Sequence, residues 1–242
     1  MLKIIIPLGG SSELFSSSGY FYPKPLIEIA GKTMVELVLE KPSRVDFNSK
    51  FIFIVKEEDK VKFHLDNTLK LLDPNCEVVV LKNSTKGALC SVLMAIDKFE
   101  EEDSLLIING DQIIDYDYSK FLEFWKNNSV DCGLVTFNSI HPRWSYARVD
   151  ENNMVLQTAE KNPISSNAIA GYYYFSKTDL FLAAAFQSIK DSTGNYESYY
   201  ISPVINQLIL MNKKVCSYQI DSNLYHSFYS PHMIKEYERK LK

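Results

Sequence analysis

Long apolar runs are missing from this 242-residue chain: none approaches the ~20 residues that a membrane-spanning helix requires, and stretches such as that in Ser104–Ile108 are strand-sized. Membrane spanning is therefore not expected. Neither sign of charge dominates, since 26 basic against 30 acidic residues leave −4, and no concentrated basic face exists to follow a nucleic-acid backbone. A local anion pocket is still compatible with that balance. The four cysteines, Cys76, Cys90, Cys132 and Cys216, are scattered, with no C-x-x-C pair and no histidine at ligand spacing. This excludes a zinc or dithiol motif and points to a reducing, cytoplasmic setting. Internal repeats, low-complexity tracts and linkers are also lacking. No Ser, His and Asp occur in the strand–turn–helix context of a nucleophile elbow, so covalent catalysis is not expected. The opening MLKIIIPLGG is too short for a signal-peptide core and reads as a buried first strand.

What is present is enough apolar material for a sizeable core, 46% hydrophobic with 13% aromatic, so disorder is excluded. Short β-branched runs alternate with helix-length amphipathic segments, the pattern of a parallel sheet covered on both faces. Strands are expected at Lys3–Leu8, Phe51–Val55, Val78–Leu81 and Ser104–Ile108, with helices at Met34–Glu40, Asp59–Leu72 and Ala88–Phe99 between them. After Asp111 a helix over Tyr118–Asn128 leads to a strand-rich stretch, Cys132–Phe137, Ser145–Val149, Val155–Glu160 and Ala168–Phe175, expected to form a lid over the carboxyl ends of the first strands. Helices over Lys177–Ile189, Tyr199–Met211 and His232–Leu241 and a strand over Lys214–Gln219 complete the chain, read as one domain over 1–242 with halves meeting near residue 130. The tyrosines of Tyr172–Tyr174 and Tyr196–Tyr200 read as interior positions.

Chemistry concentrates at the ends of the expected strands. After the first, Leu8, Gly9, Gly10, Ser11 and Ser12 open a Ser-rich loop whose consecutive N–H groups suit an anion, although an ordinary exposed loop has the same composition. Lys24 stands between Pro23 and Pro25, which confine its backbone and suit it to meet phosphate as a point charge; the same tripeptide also reads as a plain turn. The fourth strand ends in Asn109, Gly110 and Asp111, where a carboxylate can hold Mg²⁺ together with phosphate oxygens or simply close an Asx turn. Thr85, Lys86 and Gly87 precede a helix and leave room for a base or ribose, or merely cap that helix. Asp115 and Asp117 have the D-x-D spacing with which glycosyltransferases hold a metal and a nucleotide diphosphate, and equally the look of a helix N-cap. Glu160 and Lys161 close a strand opposite Gly171, either as a clamp for a second anionic group or as a solvated corner.

In order along the chain, IIIPLGGSSELF, YPKPLIEIAGKTMVE, TKGALCSVLMAI, NGDQIIDYD, HPRWSYARVDENNMVLQTAEKNPIS, AGYYYF and YYISPVINQLI resemble the sugar nucleotidyltransferases, or nucleoside-diphosphate-sugar pyrophosphorylases, most of all the short members from bacterial surface-polysaccharide clusters. That resemblance implies a doubly wound, mostly parallel α/β sheet, Rossmann-like and of GT-A type, with a nucleotide-binding half and an acceptor-binding half. It implies that an NTP joins a phosphorylated small-molecule acceptor, a sugar 1-phosphate or a non-sugar phosphate such as phosphocholine, with Mg²⁺ and release of pyrophosphate. By the same resemblance Gly9 and Gly10 line the triphosphate, Lys24 neutralises the α-phosphate and leaving group, Asp111 binds Mg²⁺ and Gly87 sits at the base. Glu160, Lys161 and Gly171 meet the acceptor. Pairing of copies into a homo-oligomer is compatible with it.

The chain also departs from the family pattern. Ser12, Glu13 and Leu14 stand where a second glycine and an arginine usually precede the phenylalanine, so a cation is missing and a negative charge is added, with Arg143 as a candidate compensator. Near the C-terminus, where many members carry a second metal-binding Asp and then GTPED, the chain reads SNLYHSFYSPHMIKEYE, with Asp221 out of register. Two further readings follow: a nucleotide-binding relative without turnover, and a glycosyltransferase using Asp115 and Asp117.

Overall fold

The computed structural model describes residues 1–44, 48–192 and 197–241, the side chain of Arg44 excepted. The first half alternates strand and helix as its hydrophobic periodicity dictates. In chain order it comprises β1 (Leu2–Pro7), α1 (Glu13–Ser16), the short pair β2 (Glu28–Ile29) and β3 (Lys32–Thr33), α2 (Met34–Glu40), β4 (Ser49–Lys56), α3 (Glu57–Phe63), α4 (Leu65–Leu72), β5 (Glu77–Leu81), α5 (Ala88–Leu93), β6 (Ser104–Ile108) and β7 (Gln112–Ile114). The second half comprises α6 (Tyr118–Asn127), β8 (Cys132–Asn138), β9 (Tyr146–Val149), β10 (Val155–Ala159), β11 (Asn167–Phe175), α7 (Thr178–Asp191), α8 (Ser202–Leu210), β12 (Val215–Ile220), β13 (Tyr225–Ser227) and α9 (Pro231–Lys240).

Among the described residues nine strands form one mixed, mostly parallel sheet. Its parallel part runs β6–β1–β4–β5. In chain order these are the fourth, first, second and third major strands, so the winding reverses between β1 and β6. A crevice outside the carboxyl ends is expected at such a switch point. Strands β1 and β6 end at Pro7 and Ile108, which brings the Gly9–Gly10 loop and Asn109–Asp111 to the same edge. Apolar alternation sorts the strands onto two cores: Ile4, Ile6, Phe53 and Ile108 face one, while Ile5, Ile54, Leu105 and Ile107 face the other under α5, α7 and α8.

The expected lid is not a separate layer. β11 pairs antiparallel with β6 on one side and with β8 on the other, and β12 then joins β8 in parallel. The second half therefore extends the same sheet: β9 pairs with β11 at Ala168, beyond the end of β6, and Ile169, Gly171 and Tyr173 of β11 line the crevice together with the adjoining loops. A register shift within β11, between Ile169 and Tyr173, falls where β6 ends. Gly171 has φ +71°, and a Cβ there would strike the side-chain amides of Asn109 and Gln112.

Local chemistry explains the element ends. Thr33 and Glu36 form a reciprocal capping box at the start of α2. Asp117 accepts from the Ser119 N–H at the start of α6. The helix expected over Asp59–Leu72 is two helices, because His64 adopts a left-handed backbone at φ 52° between them. The helix expected to reach Phe99 stops at Leu93, and a 3-10 turn over Ile96–Lys98 follows. The three-residue strands β7 and β13 pair only with each other and escape a periodicity reading. Among the described residues no helix is long and apolar enough to cross a membrane, and none of the four cysteines forms a disulfide.

Candidate functional site

A cleft of about 940 Å³ opens at the switch point. Along its floor run Leu8, Gly9, Gly10 and Ser11 after β1 and Asn109, Gly110 and Asp111 after β6. The last ladder bond of β1 is donated by the Leu8 N–H to Ile54, 2.8 Å. Beyond it, the N–H groups of Gly9, Gly10, Ser11 and Ser12 find no acceptor among the described residues. A run of unpaired donors beside a cleft is the anion-binding concavity that loops of this kind make. Lys24 leans across it: its Nζ lies 2.8 Å from Asp111 Oδ2, and a Cβ on Gly10 would sit 3.8 Å from that ammonium. The Lys24 N–H donates to Ser12 Oγ at 3.0 Å, and Lys24 itself opens a short 3-10 turn over Lys24–Leu26, so the lysine is aimed by its own backbone.

The side wall on the β5 side comes from Thr85, Gly87, Ala88 and Ser91. Thr85 and Ser91 share a hydroxyl–hydroxyl bond of 2.6 Å. The glycine, while lining the cleft, also serves packing. Its φ is +99°, and a Cβ would collide with the backbone carbonyl of Tyr199. The Tyr199 N–H donates to the Lys86 carbonyl at 2.8 Å and its carbonyl accepts from Leu89 at 3.1 Å, which ties the second half to the start of α5.

The far wall carries Glu160, Lys161, Arg143 and Tyr173. One Glu160 carboxylate oxygen accepts from Ser145 Oγ at 2.5 Å and Ser202 Oγ at 2.6 Å, and the other has no donor among the described residues. Lys161 has a left-handed backbone, φ 52°, and its ammonium lies 4.9 Å over the Tyr200 ring while donating to the Tyr200 hydroxyl at 2.9 Å. That hydrogen bond, ahead of the opposing effect of burial, raises the Lys161 pKa. Burial of Tyr173 pushes its hydroxyl well above the ordinary range.

Several expectations change. Ser12 does not line the cleft and instead fixes Lys24. The Lys86 side chain is exposed outside the cleft. Arg143 cannot serve as the loop's compensator, because its guanidinium donates to His141 Nδ1 (3.3 Å) and Met233 Sδ (3.2 Å) and lies over Trp144, on the far wall. Asp221 caps the 3-10 turn at Ser222–Leu224 and is absent from the cleft. Ser227 and Tyr229 approach in its place, since β13 pairs with β7 and the Phe228 N–H donates to the Asp111 carbonyl at 2.7 Å. Asp115 pairs with Lys41 at 2.7 Å, which lowers its pKa, and Asp117 caps α6, so the D-x-D pair stands outside the cleft. Tyr200 faces the cleft and does not fill the interior; Tyr172–Tyr174 are buried, and Tyr196 lies outside the described residues. Sequence reading missed Lys56, Ser84, His141, Trp144 and Ser145. Lys56 ends β4, and the rule that ligands gather at carboxyl strand ends would have flagged it.

A family model described as "Nucleotidyl transferase" matches residues 4–223. The chain belongs to the nucleotidyl transferase family. Curated relatives of this nucleotidyl transferase include a "Putative mannose-1-phosphate guanyltransferase" of Sulfolobus acidocaldarius, 23% identical over 73% of this chain and 49% of its own length. A "Bifunctional protein GlmU" of Methanocaldococcus jannaschii is 30% identical over 73% of this chain and 40% of its own length. The chain thus spans half or less of the length of these relatives. Among solved structures, a nucleoside-diphosphate-sugar pyrophosphorylase from Vibrio cholerae RC9 superposes with a TM-score of 0.86 at 22% identity, over 99% of this chain and 100% of the other, a likeness of fold.

Mg²⁺ has few ligands to draw on. No cluster of three or more His, Cys, Asp or Glu occurs among the described residues. Among the described residues Asp111 is the sole carboxylate on the cleft floor, and Ser227 also lines the cleft. One carboxylate fits Mg²⁺ only when phosphate oxygens and water complete the octahedron.

Proposed function

We propose that this nucleotidyl transferase couples an NTP to a phosphorylated acceptor, a sugar 1-phosphate first among candidates, and releases pyrophosphate. A phosphate oxygen of the acceptor attacks the α-phosphorus, the bond from that phosphorus to the bridging oxygen of the β-phosphate breaks, and pyrophosphate leaves with the electron pair. The unpaired Gly9–Ser11 amides, sharing one cleft with Lys24 and Asp111, carry this reading. Such transfer needs alignment and charge neutralisation more than covalent chemistry. Lys24 neutralises charge at the α-phosphate and on the departing oxygen, and the loop amides orient the phosphate tail. Thr85 and Gly87 flank the nucleoside. On the far wall Lys161 holds the acceptor phosphate, and the free oxygen of Glu160 accepts from an acceptor hydroxyl. Asp111 would hold Mg²⁺, shared with phosphate oxygens, where it supplies further charge neutralisation. A capsule or other surface-polysaccharide precursor in the cytoplasm is the product class that the sequence resemblance favours.

The test is pyrophosphate release across the NTPs with a panel of phosphate acceptors. Asp111→Asn and Lys24→Ala should each abolish most of it; activity surviving both changes would remove the mechanism. The lone carboxylate favours one second reading, nucleotide binding without turnover, which predicts nucleotide-dependent thermal stabilisation and no pyrophosphate.

A further inference from the structure

We infer that Lys56 supplies the cation that the Gly9–Tyr22 loop lacks, binding the β/γ end of the polyphosphate. This inference rests on the nucleotide reading of the cleft. The loop contains no Lys or Arg and one acidic residue, Glu13. Of the cleft's other cations, Lys24 is paired with Asp111, Lys161 with the Tyr200 hydroxyl, and Arg143 with His141 and Met233. Lys56 lines the cleft, is half-buried, and its ammonium has no hydrogen bond or ion pair among the described residues; Glu57, Glu58 and Asp59 follow it in sequence, and its charge opposes the burial that raises the Asp59 pKa.

Register places it beside the glycines. Pro7 pairs with Ile54 and Lys56 with Leu81, so extending β1 by two residues sets Gly9 level with Lys56 on the adjoining strand. Adjacent strands lie about 4.8 Å apart, well within reach of a lysine side chain. The three positions share a face: a Cβ on Gly9 would come within 3.0 Å of the Leu81 side chain. The far part of the Gly loop leans toward the helix that Lys56 precedes, as Phe21 and Tyr22 pack edge-on against Phe63 at 5.8 and 5.9 Å. A compact ammonium with three donors and no partner, next to a row of unpaired amides, is suited to phosphate oxygens.

The experiment compares the full chain with Lys56→Ala and Lys56→Arg by calorimetric titration of inorganic tripolyphosphate, an NTP and the matching NMP, alongside pyrophosphate release. Thermal melts check folding, and Lys56→Gln replaces Ala if that variant melts early. The expected result is an affinity loss of about ten-fold or more, equal to about 1.4 kcal/mol, for tripolyphosphate and NTP, unchanged NMP binding, and rescue by arginine. Equal tripolyphosphate affinity in wild type and Lys56→Ala overturns the inference. So does a parallel loss of NMP binding, which would place the ammonium on the nucleoside monophosphate part and not on the β/γ end. Pyrophosphate release by wild type is read separately, so a failure of the reaction is distinguishable from a failure of this contact.

Discussion

Removing the Lys24 ammonium should hurt chemistry far more than folding, and the two sizes can be worked out in advance. At 2.8 Å, with side chains 15% and 24% exposed, the pair has a gross attraction of about 6 kcal/mol at an effective dielectric of 20. Most of that is cancelled by desolvation already borne in the native state, and water entering the open cleft can solvate Asp111 once Lys24 is gone. The net effect of Lys24→Ala on stability therefore falls between exposed and buried pairs, at about 1–2 kcal/mol. For a chain of this size that is roughly 2–8 °C in Tm. Removing a preorganised charge from a developing transition state costs about 10²–10³ in rate, so pyrophosphate release should drop by that factor. A double-mutant cycle with Asp111→Asn, read by urea denaturation and by initial rates, separates the effects. Lys24→Ala should lower the rate steeply while the urea midpoint moves little. A variant whose rate falls no more than its folded fraction would refute the reasoning, because the pair would then be a structural tie across the cleft floor.

Burial, with help from Lys240, lowers the pKa of His226 below its ordinary 6.5, against the pull of Asp115. The unfolded chain then binds that proton more readily, so stability is full above the unfolded value and declines as pH falls through it toward the folded value; urea midpoints between pH 7.5 and 5 should fall more for wild type than for His226→Gln, and equal falls would count against this. Gly133→Ala would set a Cβ against the fully buried Trp125 indole, which stacks on Tyr174 at 5.5 Å, and overpacking of this kind costs about 1–3 kcal/mol, measurable by denaturant titration. Gly87→Ala forces φ +99° on a residue with a side chain and pushes at the Tyr199 carbonyl. It should cost about 1–3 kcal/mol and weaken nucleotide binding by loosening the 197–201 segment, seen as a raised Kd; a variant matching wild type in both would show that this segment does not shape the cleft.

The sequence by itself determined the alternating first half, since β-branched runs such as Lys3–Leu8 and Phe51–Val55 and the amphipathic stretch at Met34–Glu40 each have one stable way to bury their apolar face. It also marked Gly9, Gly10, Lys24 and Asp111, whose residue types are informative without neighbours. Tertiary structure decided what depends on partners distant in the chain. That Lys24 meets Asp111 follows from the winding reversal between β1 and β6, a property of strand order and not of either motif. Gly87 and Gly171 are glycines because Tyr199, Asn109 and Gln112 approach them from elsewhere. β7 and β13 exist only as each other's partner, and Lys56 reaches the cleft because β4 lies beside β1 in the sheet. Local sequence encodes backbone preference and burial, but strand order sets which side chains share a cavity.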